Sequence, residues 1–312
     1  MTVSGATVDE VISGYEALLG DGAHGVVVRD VISVTGPDAG RYLQGQLSQD
    51  VVAMAADQAW SFLLAPTGRV VAWLRVHRIG ADEYLLEVDD GWGMAVRSRL
   101  ERFLLRTDAV ISEPRRTVLI QRRWNPTLVR FGDEVPVGSS VAAPVGPGVA
   151  GLDVLLVDGS EEVRSVATRD AVPEASLERY RIAHGIPAMG AELTEDTIPG
   201  EAGSWVIDAS VSFTKGCYTG QELVARIDSR GNNVPHPIRL LSLTEDARVG
   251  DIVRFEGVDV GHITSVTPSL AEGLPALALA RVGRVVVEGT SMEVGEGALA
   301  GAATVVEPGT VR

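Results

Sequence analysis

The C-terminal part of this chain has a pattern that restricts its fold. From Ile238 onward, short β-branched runs alternate with glycine-containing turns at close spacing, at 252–255, 262–266, 276–281, 285–288 and 304–306. This pattern is typical of a small β-barrel or sandwich. Pro235-His236-Pro237 stands immediately before it as a natural boundary. The sequence therefore predicts two regions, 1–234 and 235–312, of which the second consists of strands.

The first region mixes strand and helix patterns. β-branched or apolar runs predict strands over 26–34, 60–64, 70–79, 84–88 and 152–157. The turn at 65–68 predicts a hairpin between the second and third of these strands. Helical spacing predicts helices after Asp38, over 94–106 and over 173–184, with Gly185 ending the last one. Glycine, proline and serine at 131–147 predict a loop.

Composition excludes several classes of protein. The formal net charge of −15 argues against a nucleic-acid partner, because proteins that bind phosphate backbones carry a basic face. One cysteine cannot form an internal disulfide, the N-terminal sequence does not resemble a signal peptide, and no apolar run reaches transmembrane length. The five histidines are scattered without metal-ligand spacing. We therefore expect a cytoplasmic protein with no membrane partner and no metal site.

The only lysine of the chain lies two residues before the only cysteine. There are 27 basic residues, and all except Lys215 are arginine, while the single thiol is Cys217. Lysine is a compact charge with three rotatable donors, whereas arginine is a flat, rigid fork. A drift to arginine in a high-GC genome explains why lysine is scarce, but it does not explain this location. The pattern therefore predicts a position at which arginine cannot replace lysine.

The residues after the cysteine indicate a helix start. Thr219 and Glu222 have the spacing of a capping box, which predicts that Thr219 is the N-cap. Cys217 would then lie near the positive end of the helix dipole and close to Lys215, and both influences stabilise a thiolate. Gly216 and Gly220 would let another molecule approach the backbone. The alternative is an unreactive buried cysteine that serves as a small hydrophobe, and the two interpretations stay open at this point.

At this segment the chain resembles a known family. Lys215-Gly-Cys-Tyr-Thr-Gly-Gln-Glu222, followed by Ala225-Arg226, resembles the signature of the YgfZ-type folate-binding proteins. These are relatives of the glycine-cleavage T-protein, an aminomethyltransferase. Segments 35–39, 43–50, 66–69, 181–187 and 198–202 resemble the same family in the same order. Together the segments cover most of residues 26–230.

The resemblance implies an α+β fold of three subdomains in a ring around a central, folate-sized hole. Two are antiparallel-sheet α+β subdomains interleaved in sequence, and the third is the C-terminal β-barrel. It also implies that tetrahydrofolate is bound, with its pterin ring in the hole. The YgfZ branch is associated with assembly or maintenance of iron–sulfur clusters, and the T-protein branch transfers a one-carbon unit to tetrahydrofolate.

Two departures from the T-protein pattern affect the expected chemistry. The hairpin of the T-protein carries a catalytic acid, but segment 69–75 contains no carboxylate. A second family glutamate is replaced by Ala183. Because a pterin ring is usually held by a carboxylate that accepts from its amino group and ring N–H, Asp89 and Glu201 are the candidate substitutes. Asp89 and Asp90 could equally form a turn or a helix cap.

The sequence favours a tetrahydrofolate-binding accessory protein for iron–sulfur cluster assembly or maintenance, with iron–sulfur client or assembly proteins as partners. Cys217 would attack or shield a sulfur species or bind iron transiently, because a soft thiolate suits either task. Lys215 would keep the thiol ionised or contact the glutamate tail of the folate. The other folate-binding candidates in this segment are Tyr218, Gln221, Glu222 and Arg226.

Two other functions stay open. One is a tetrahydrofolate-dependent aminomethyltransferase or demethylase, for which a shared fold is weak support. The other is a scaffold that binds protein partners and no folate.

Overall fold

A computed structural model describes residues 2–3, 5–20, 22–54, 56–123, 139–156, 170–228, 233–295 and 301–311. The N-terminal strands are β1 (Thr2–Val3), β2 (Ala6–Thr7), β3 (Ala23–Thr35), β4 (Gln58–Leu64), β5 (Val70–Gly80), β6 (Glu83–Asp89), β7 (Val110–Ile111), β8 (Arg115–Arg123), β9 (Ser139–Ala142) and β10 (Gly151–Leu156). The C-terminal strands are β11 (Ile238–Leu243), β12 (Ile252–Phe255), β13 (Val258–Thr267), β14 (Ala276–Val282), β15 (Ser291–Val294) and β16 (Gly301–Val306). The helices are α1 (Val8–Leu19), α2 (Ala39–Gln46), α3 (Gly93–Glu101), α4 (Glu174–Ala183), α5 (Ser204–Ser210) and α6 (Gln221–Asp228), with a 3₁₀ turn at Pro199–Ala202.

The N-terminal region is built on one antiparallel sheet in the order β4-β5-β6-β3-β8-β10-β9, with β7 paired to the end of β3. The long strand β3 pairs with β6 on one side and β8 on the other. The strands predicted from β-branched or apolar runs in this region are confirmed, with ends shifted by a few residues. In the C-terminal region the predicted strand at 285–288 is wrong, because the chain turns there between β14 and β15. The predicted loop over 131–147 is wrong where Ser139–Ala142 pairs with β10, and its residues 131–138 lie outside the described part of the chain.

The C-terminal strands close into a barrel in the order β11-β14-β13-β12-β15-β16. Closure is achieved by β11, which pairs with both β14 and β16, so that Leu241 faces Ala278 on one side and Val305 on the other. Several interior residues are alanine, including Ala276 and Ala280, which suits a narrow interior. The sequence left a barrel and a sandwich open, and the structure has the barrel. The boundary between residues 234 and 235 stays a prediction.

The predicted helices are confirmed, but one of them is shorter than expected. α3 ends at Glu101, whereas its apolar spacing predicted helix as far as residue 106. Phe103 N–H donates to Leu100 O, which closes a tight turn, and Arg106 takes a φ of 53° that no α-helix accommodates. At the end of α4, Gly185 takes the expected left-handed φ of 64°. Within the described residues, no helix has both the length and the apolar character to cross a membrane.

A buried carboxylate joins the barrel to the N-terminal region. Glu192 is fully buried and accepts hydrogen bonds from Thr264 Oγ1 (2.7 Å) and Ser265 Oγ (2.6 Å) on barrel strand β13. It also accepts from Arg181 Nη1 on α4 (3.0 Å) and from the backbone N–H of Ala188 (2.9 Å). Because each of these four groups donates to Glu192, a side chain that itself donates does not fit in its place.

We expect Glu192→Gln to lower the free energy of unfolding by about 1–3 kcal/mol, the usual cost of leaving buried polar groups without their partners. The amide NH₂ would face donors, while Arg181 would keep Glu178 as its counter-charge. Chemical denaturation measures the loss. Asp196→Asn is the control, because Asp196 is 79% exposed in its pair with Arg69, and it should cost about 1 kcal/mol or less. Equal effects of the two substitutions would contradict this role of Glu192.

Candidate functional site

A cavity of about 270 Å³ lies between the large sheet and α4. Its floor comes from strands β3, β4, β5, β8 and β10, and its cover from α4 and the segment that follows it. The aromatic and charged side chains that line it are Arg29, Trp60, Trp73, Arg75, Asp89, Asp90, Arg123, Asp153, Tyr180, Glu178 and Arg181.

Two tryptophans form an aromatic wall of this cavity. The rings of Trp60 and Trp73 are stacked with centroids 4.1 Å apart and an interplanar angle of 23°. The guanidinium of Arg75 lies 5.0 Å from the Trp60 ring centroid, in cation–π geometry. Trp73 Nε1 donates to Ser210 Oγ (2.8 Å), so its ring is held in place, whereas the indole N–H of Trp60 is buried without a hydrogen-bond partner.

Below the wall lies a buried network of charges. Arg75 donates to Glu87 through Nε (2.9 Å) and to Asp153 through Nη1 (2.8 Å), and Arg123 Nη1 donates to Asp153 (2.7 Å). His77 Nε2 is 2.9 Å from Glu87 Oε2. This network was not predicted from the sequence. A signal was present, because Arg75 and Glu87 are opposite charges inside apolar runs that form neighbouring strands, and they face each other in the register.

The network fixes the charge of Glu87. Burial alone would raise the pKa of this carboxyl, but attraction to Arg75 and Arg29 and the hydrogen bond from His77 outweigh burial. The pKa of Glu87 is therefore held well below its ordinary value, and the group is a carboxylate at neutral pH. Burial lowers the pKa of His77 more than Glu87 raises it, which favours a neutral imidazole.

Asp89, one of the two predicted substitutes for the family carboxylate, lines the cavity. It forms an ion pair with Arg29, and its Oδ2 accepts from the backbone N–H of Met189 (2.7 Å). Its side chain is 26% exposed. The other carboxylates that line the cavity also have arginine partners. These pairs are Asp90–Arg116, Asp153–Arg75, Asp153–Arg123 and Glu178–Arg181.

Glu201, the other predicted substitute, does not line this cavity. It is fully buried and belongs to the contact between the 3₁₀ turn and the barrel. Its oxygens accept from Arg281 Nη2 (2.7 Å) on β14, from His236 N–H (3.2 Å) and from Ile198 N–H (3.3 Å). The prediction that Glu201 holds a pterin stays a prediction, and in this structure its oxygens serve an internal contact.

The signature segment lies outside the cavity as well. None of its residues is among the cavity-lining side chains. Tyr218 is buried in the main hydrophobic core, while Glu222 and Arg226 are exposed on α6. Gln221 is half-buried, and its Oε1 accepts from the backbone N–H of Tyr218 (3.1 Å). The role of these residues in folate binding stays a prediction, since in the structure they face the core, their own loop or the surface.

Cys217 is exposed. The interpretation of this cysteine as a buried hydrophobe is therefore wrong. A side chain placed on Gly216 would meet no atom within 4 Å, so the backbone beside the thiol is open to another molecule. Phe213, in the same loop, is 50% exposed.

The predicted capping box is not formed. α6 begins at Gln221, after Gly220 with a φ of 86°, and the Thr219 hydroxyl lies 3.5 Å from Gln46 Oε1. A Cβ on Gly220 would lie 2.7 Å from the carbonyl oxygen of Ala65. Gly220 therefore lets the signature loop pack against the turn of the β4–β5 hairpin, so the protein itself occupies the space that we expected to admit a ligand.

Lys215 points to the backbone and not to the thiol. Its Nζ donates to the carbonyl oxygens of Gln44 (2.6 Å), Leu47 (2.7 Å) and Gln49 (3.0 Å). Burial lowers the pKa of Lys215 to about 8, against a smaller opposing attraction to Asp50. All three ammonium donors are used, so none is left for the Cys217 thiolate or for a folate carboxylate, which were the two predicted roles.

The cavity suits a flat heteroaromatic ring. Trp60 and Trp73 offer a stacking surface, the unpaired indole N–H is a donor that a ligand oxygen would satisfy, and Asp89 and Glu178 place partly exposed carboxylates on the lining. Drug-sized sites usually measure about 300–1,000 Å³, so a cavity of about 270 Å³ takes a ring and not a whole folate. Ala183 is buried in the apolar cluster between α4 and the barrel and adds no acid. Among the residues of known placement, no group of three or more His, Cys, Asp or Glu side chains could hold a metal ion.

Comparison with known proteins identifies relatives by sequence and a matching fold by structure. The mitochondrial iron–sulfur cluster assembly factor IBA57 homologue of Neurospora crassa is 29% identical over 219 residues, which are 65% of this chain and 49% of that protein. The tRNA-modifying protein YgfZ of Vibrio vulnificus is 27% identical over 237 residues, 72% of each chain. The chain thus spans about half the length of the fungal relative. No protein-family model matches.

The fold is also found in a solved structure. The glycine cleavage system aminomethyltransferase T from Bartonella henselae superposes with a TM-score of 0.75 over 96% of this chain and 89% of its own, at 17% identity. At that identity the similarity establishes the fold alone. The predicted α+β fold with a C-terminal barrel is confirmed, and so is the resemblance to the YgfZ-type proteins.

We expect the buried network to make the protein sensitive to acid through Glu87. Because the pKa of Glu87 is depressed in the folded state, its stabilisation is present above the ordinary value of 4.5 and is lost as the pH falls below it. Glu87→Gln should therefore lower the free energy of unfolding at pH 7 by about 3–5 kcal/mol. Below about pH 4.5 the free energy of unfolding of this variant should depend less steeply on pH than that of the wild type. Denaturation between pH 7 and pH 3 measures both, with Asp57→Asn, 70% exposed, as the control. Identical slopes for Glu87→Gln and the wild type would refute this assignment.

Proposed function

Because this chain is a homologue of the YgfZ and IBA57 proteins and has the T-protein fold, we propose that it assists iron–sulfur cluster assembly or maintenance. We further propose that it binds tetrahydrofolate through the cavity and uses Cys217. Its partners would be iron–sulfur client or assembly proteins, and its location the cytoplasm. The observation that carries the proposal is the exposed thiol of Cys217 beside the open backbone of Gly216.

The exposed thiol suits chemistry on sulfur or iron. A thiolate is a soft ligand and a strong nucleophile, so Cys217 can bind iron transiently or attack or shield a sulfur species. The half-exposed ring of Phe213 lies in the same loop and supplies apolar surface to a protein partner. The cluster or its parts would be the cargo of this site.

The cavity suits the pterin part of tetrahydrofolate. The Trp60–Trp73 wall would stack on the ring, and the carboxylates of Asp89 and Glu178 would accept from its amino group and ring N–H. The aminobenzoyl-glutamate tail would then extend out of the cavity. Bound tetrahydrofolate would supply a one-carbon carrier, although the proposed function does not require a transfer.

The second candidate, a tetrahydrofolate-dependent one-carbon transferase, is favoured by the fold it shares with aminomethyltransferase T. The charges around the cavity argue against it. Each carboxylate that lines the cavity forms an ion pair with an arginine, so none of these groups stands free to serve as a general acid. Incubation with tetrahydrofolate and methylated or aminomethylated donors should therefore give no methylene-tetrahydrofolate above background.

We expect Cys217→Ala to leave the fold intact, because the thiol is exposed, and to abolish the function. In a strain that lacks the gene, wild-type protein should restore the activity of iron–sulfur enzymes, and Cys217→Ala should not. Cys217→Ser, which keeps the size but not the soft sulfur, is the matched control and should fail equally. Rescue by Cys217→Ala at the wild-type level would show that this role is wrong.

We expect tetrahydrofolate to bind and Trp60→Ala to weaken binding. Loss of base-like stacking on an aromatic side chain costs about 1–3 kcal/mol, which is roughly a 5- to 150-fold rise in Kd. Isothermal titration calorimetry measures the change, and Asp196→Asn, outside the cavity, is the control. If the wild-type protein gives no binding heat and no change in tryptophan fluorescence, the chain is a scaffold without folate.

A further inference from the structure

The loop that presents Cys217 is attached at one end to the last turn of α2 and at the other to the segment that follows it. The backbone N–H of Ser212 donates to Ser48 O (3.0 Å), and that of Thr219 donates to Gly45 O (3.1 Å). The thiol therefore lies in a loop of which the two ends are fixed to one neighbouring segment. Between those ends the loop needs a further attachment if Cys217 is to keep one position.

Lys215 supplies that attachment. α2 ends at Gln46, so the carbonyl of Gln44 is one of the last four of the helix and has no partner within it. The carbonyls of Leu47 and Gln49 belong to the extension beyond the helix end, and all three converge on Nζ. At neutral pH the ammonium keeps its three protons, since its pKa of about 8 is above that range.

The same ammonium also contacts the residue on the other side of the thiol. Nζ lies 5.1 Å from the centroid of the Tyr218 ring, in cation–π geometry. Tyr218 is only 9% exposed and packs in the main core. The residues on either side of the Gly216–Cys217 pair are thus held by the core and by the end of α2, while the pair itself stays open.

We propose that Lys215 is the positioning residue of this site: it binds three carbonyls, one in the last turn of α2 and two just beyond it, and so fixes the loop that presents Cys217. Only a lysine meets this geometry, because its three donors are arranged tetrahedrally around one atom and can rotate to three converging acceptors. The guanidinium of an arginine is planar and rigid, and its donors are spread over three nitrogen atoms in one plane. These donors cannot reach three acceptors that surround a single atom. This requirement accounts for the single lysine in a chain that otherwise uses arginine.

The geometric requirement can be separated from an effect of charge. If Lys215 acted on the thiolate by charge alone, Lys215→Arg would preserve the reactivity of Cys217. If it acts by its three hydrogen bonds, Lys215→Arg should resemble Lys215→Met. Arg41→Met is the matched control, because Arg41 is a 76% exposed cation on α2.

The composition of the chain makes the test specific. A nitroxide attached to the only thiol reports the order of this loop, and ¹⁵N-lysine labels only one side chain. In wild type we expect a broad nitroxide spectrum. We also expect the ammonium protons, observed through the ¹⁵N label, to exchange slowly with water. Lys215→Arg and Lys215→Met should both narrow the nitroxide spectrum and change the alkylation rate of Cys217, while Arg41→Met should match wild type. Thermal unfolding verifies that each variant is folded.

Either of two results would overturn the proposal: a wild-type spectrum and alkylation rate in Lys215→Arg, or rapid exchange of the wild-type ammonium. The second needs no variant and decides the matter if the substitutions do not fold. The role in cluster assembly rests on the proposed function, and we expect Lys215→Arg to fall to the rescue level of Cys217→Ala. Rescue by Cys217→Ala would refute the function and leave the loop measurement valid, whereas an unchanged loop would refute the positioning role alone.

Discussion

The guanidinium of Arg75 is fully buried in the large sheet, and the shape of that sheet depends on how its charge is compensated. Arg75 on β5 contacts Asp153 on β10 at 2.8 Å, although β6, β3 and β8 lie between these two strands in the sheet order. A flat sheet would hold β5 and β10 about 19 Å apart, at four strand spacings of roughly 4.8 Å. The sheet must therefore curl towards itself, and the ion pair spans its inner face.

The curvature and the cavity have the same cause. A buried charge without a partner costs several kcal/mol, so the strands that carry Arg75, Glu87 and Asp153 cannot slide without a large loss. The guanidinium also lies against Trp60, which positions the aromatic wall above the charges. The charge compensation of Arg75 thus determines both the curvature of the sheet and the floor of the candidate folate site.

The cavity and the cysteine loop are linked through the end of α5. Trp73 forms part of the cavity wall and donates to the hydroxyl of Ser210, while the carbonyl of Ser210 accepts from Ser48 Oγ (2.6 Å). Ser48 O in turn accepts from Ser212, the first residue of the loop. The aromatic wall and the base of the loop therefore share one hydrogen-bonded segment, so that a ligand on the wall and a partner at Cys217 contact opposite ends of the same structure.

Features that depend on local sequence pattern were predicted correctly. The predictions failed where contacts between distant segments determine the structure. The barrel, the β4–β5 hairpin and α4 follow from periodicity and turns, and the family resemblance supplied the overall arrangement. Glu201 appeared to be a free acid because Arg281, 80 residues away, is invisible as its partner in a linear pattern. Thr219 has a capping spacing, but Gly220 turns the chain against the hairpin before the helix starts.

The same distinction explains the cations of the chain. Arginine serves wherever the partner is a carboxylate, as in Arg75 with Glu87 and Arg181 with Glu192, because a planar fork matches two oxygens in a plane. Among the cations in the described part of the chain, only Lys215 donates to three backbone carbonyls from a single atom, which a fork cannot match. The scarcity of lysine shows no more than a preference for arginine, but its one retained position marks a different acceptor geometry. That geometry lies next to the only thiol because the loop that exposes Cys217 has to be held from its backbone side.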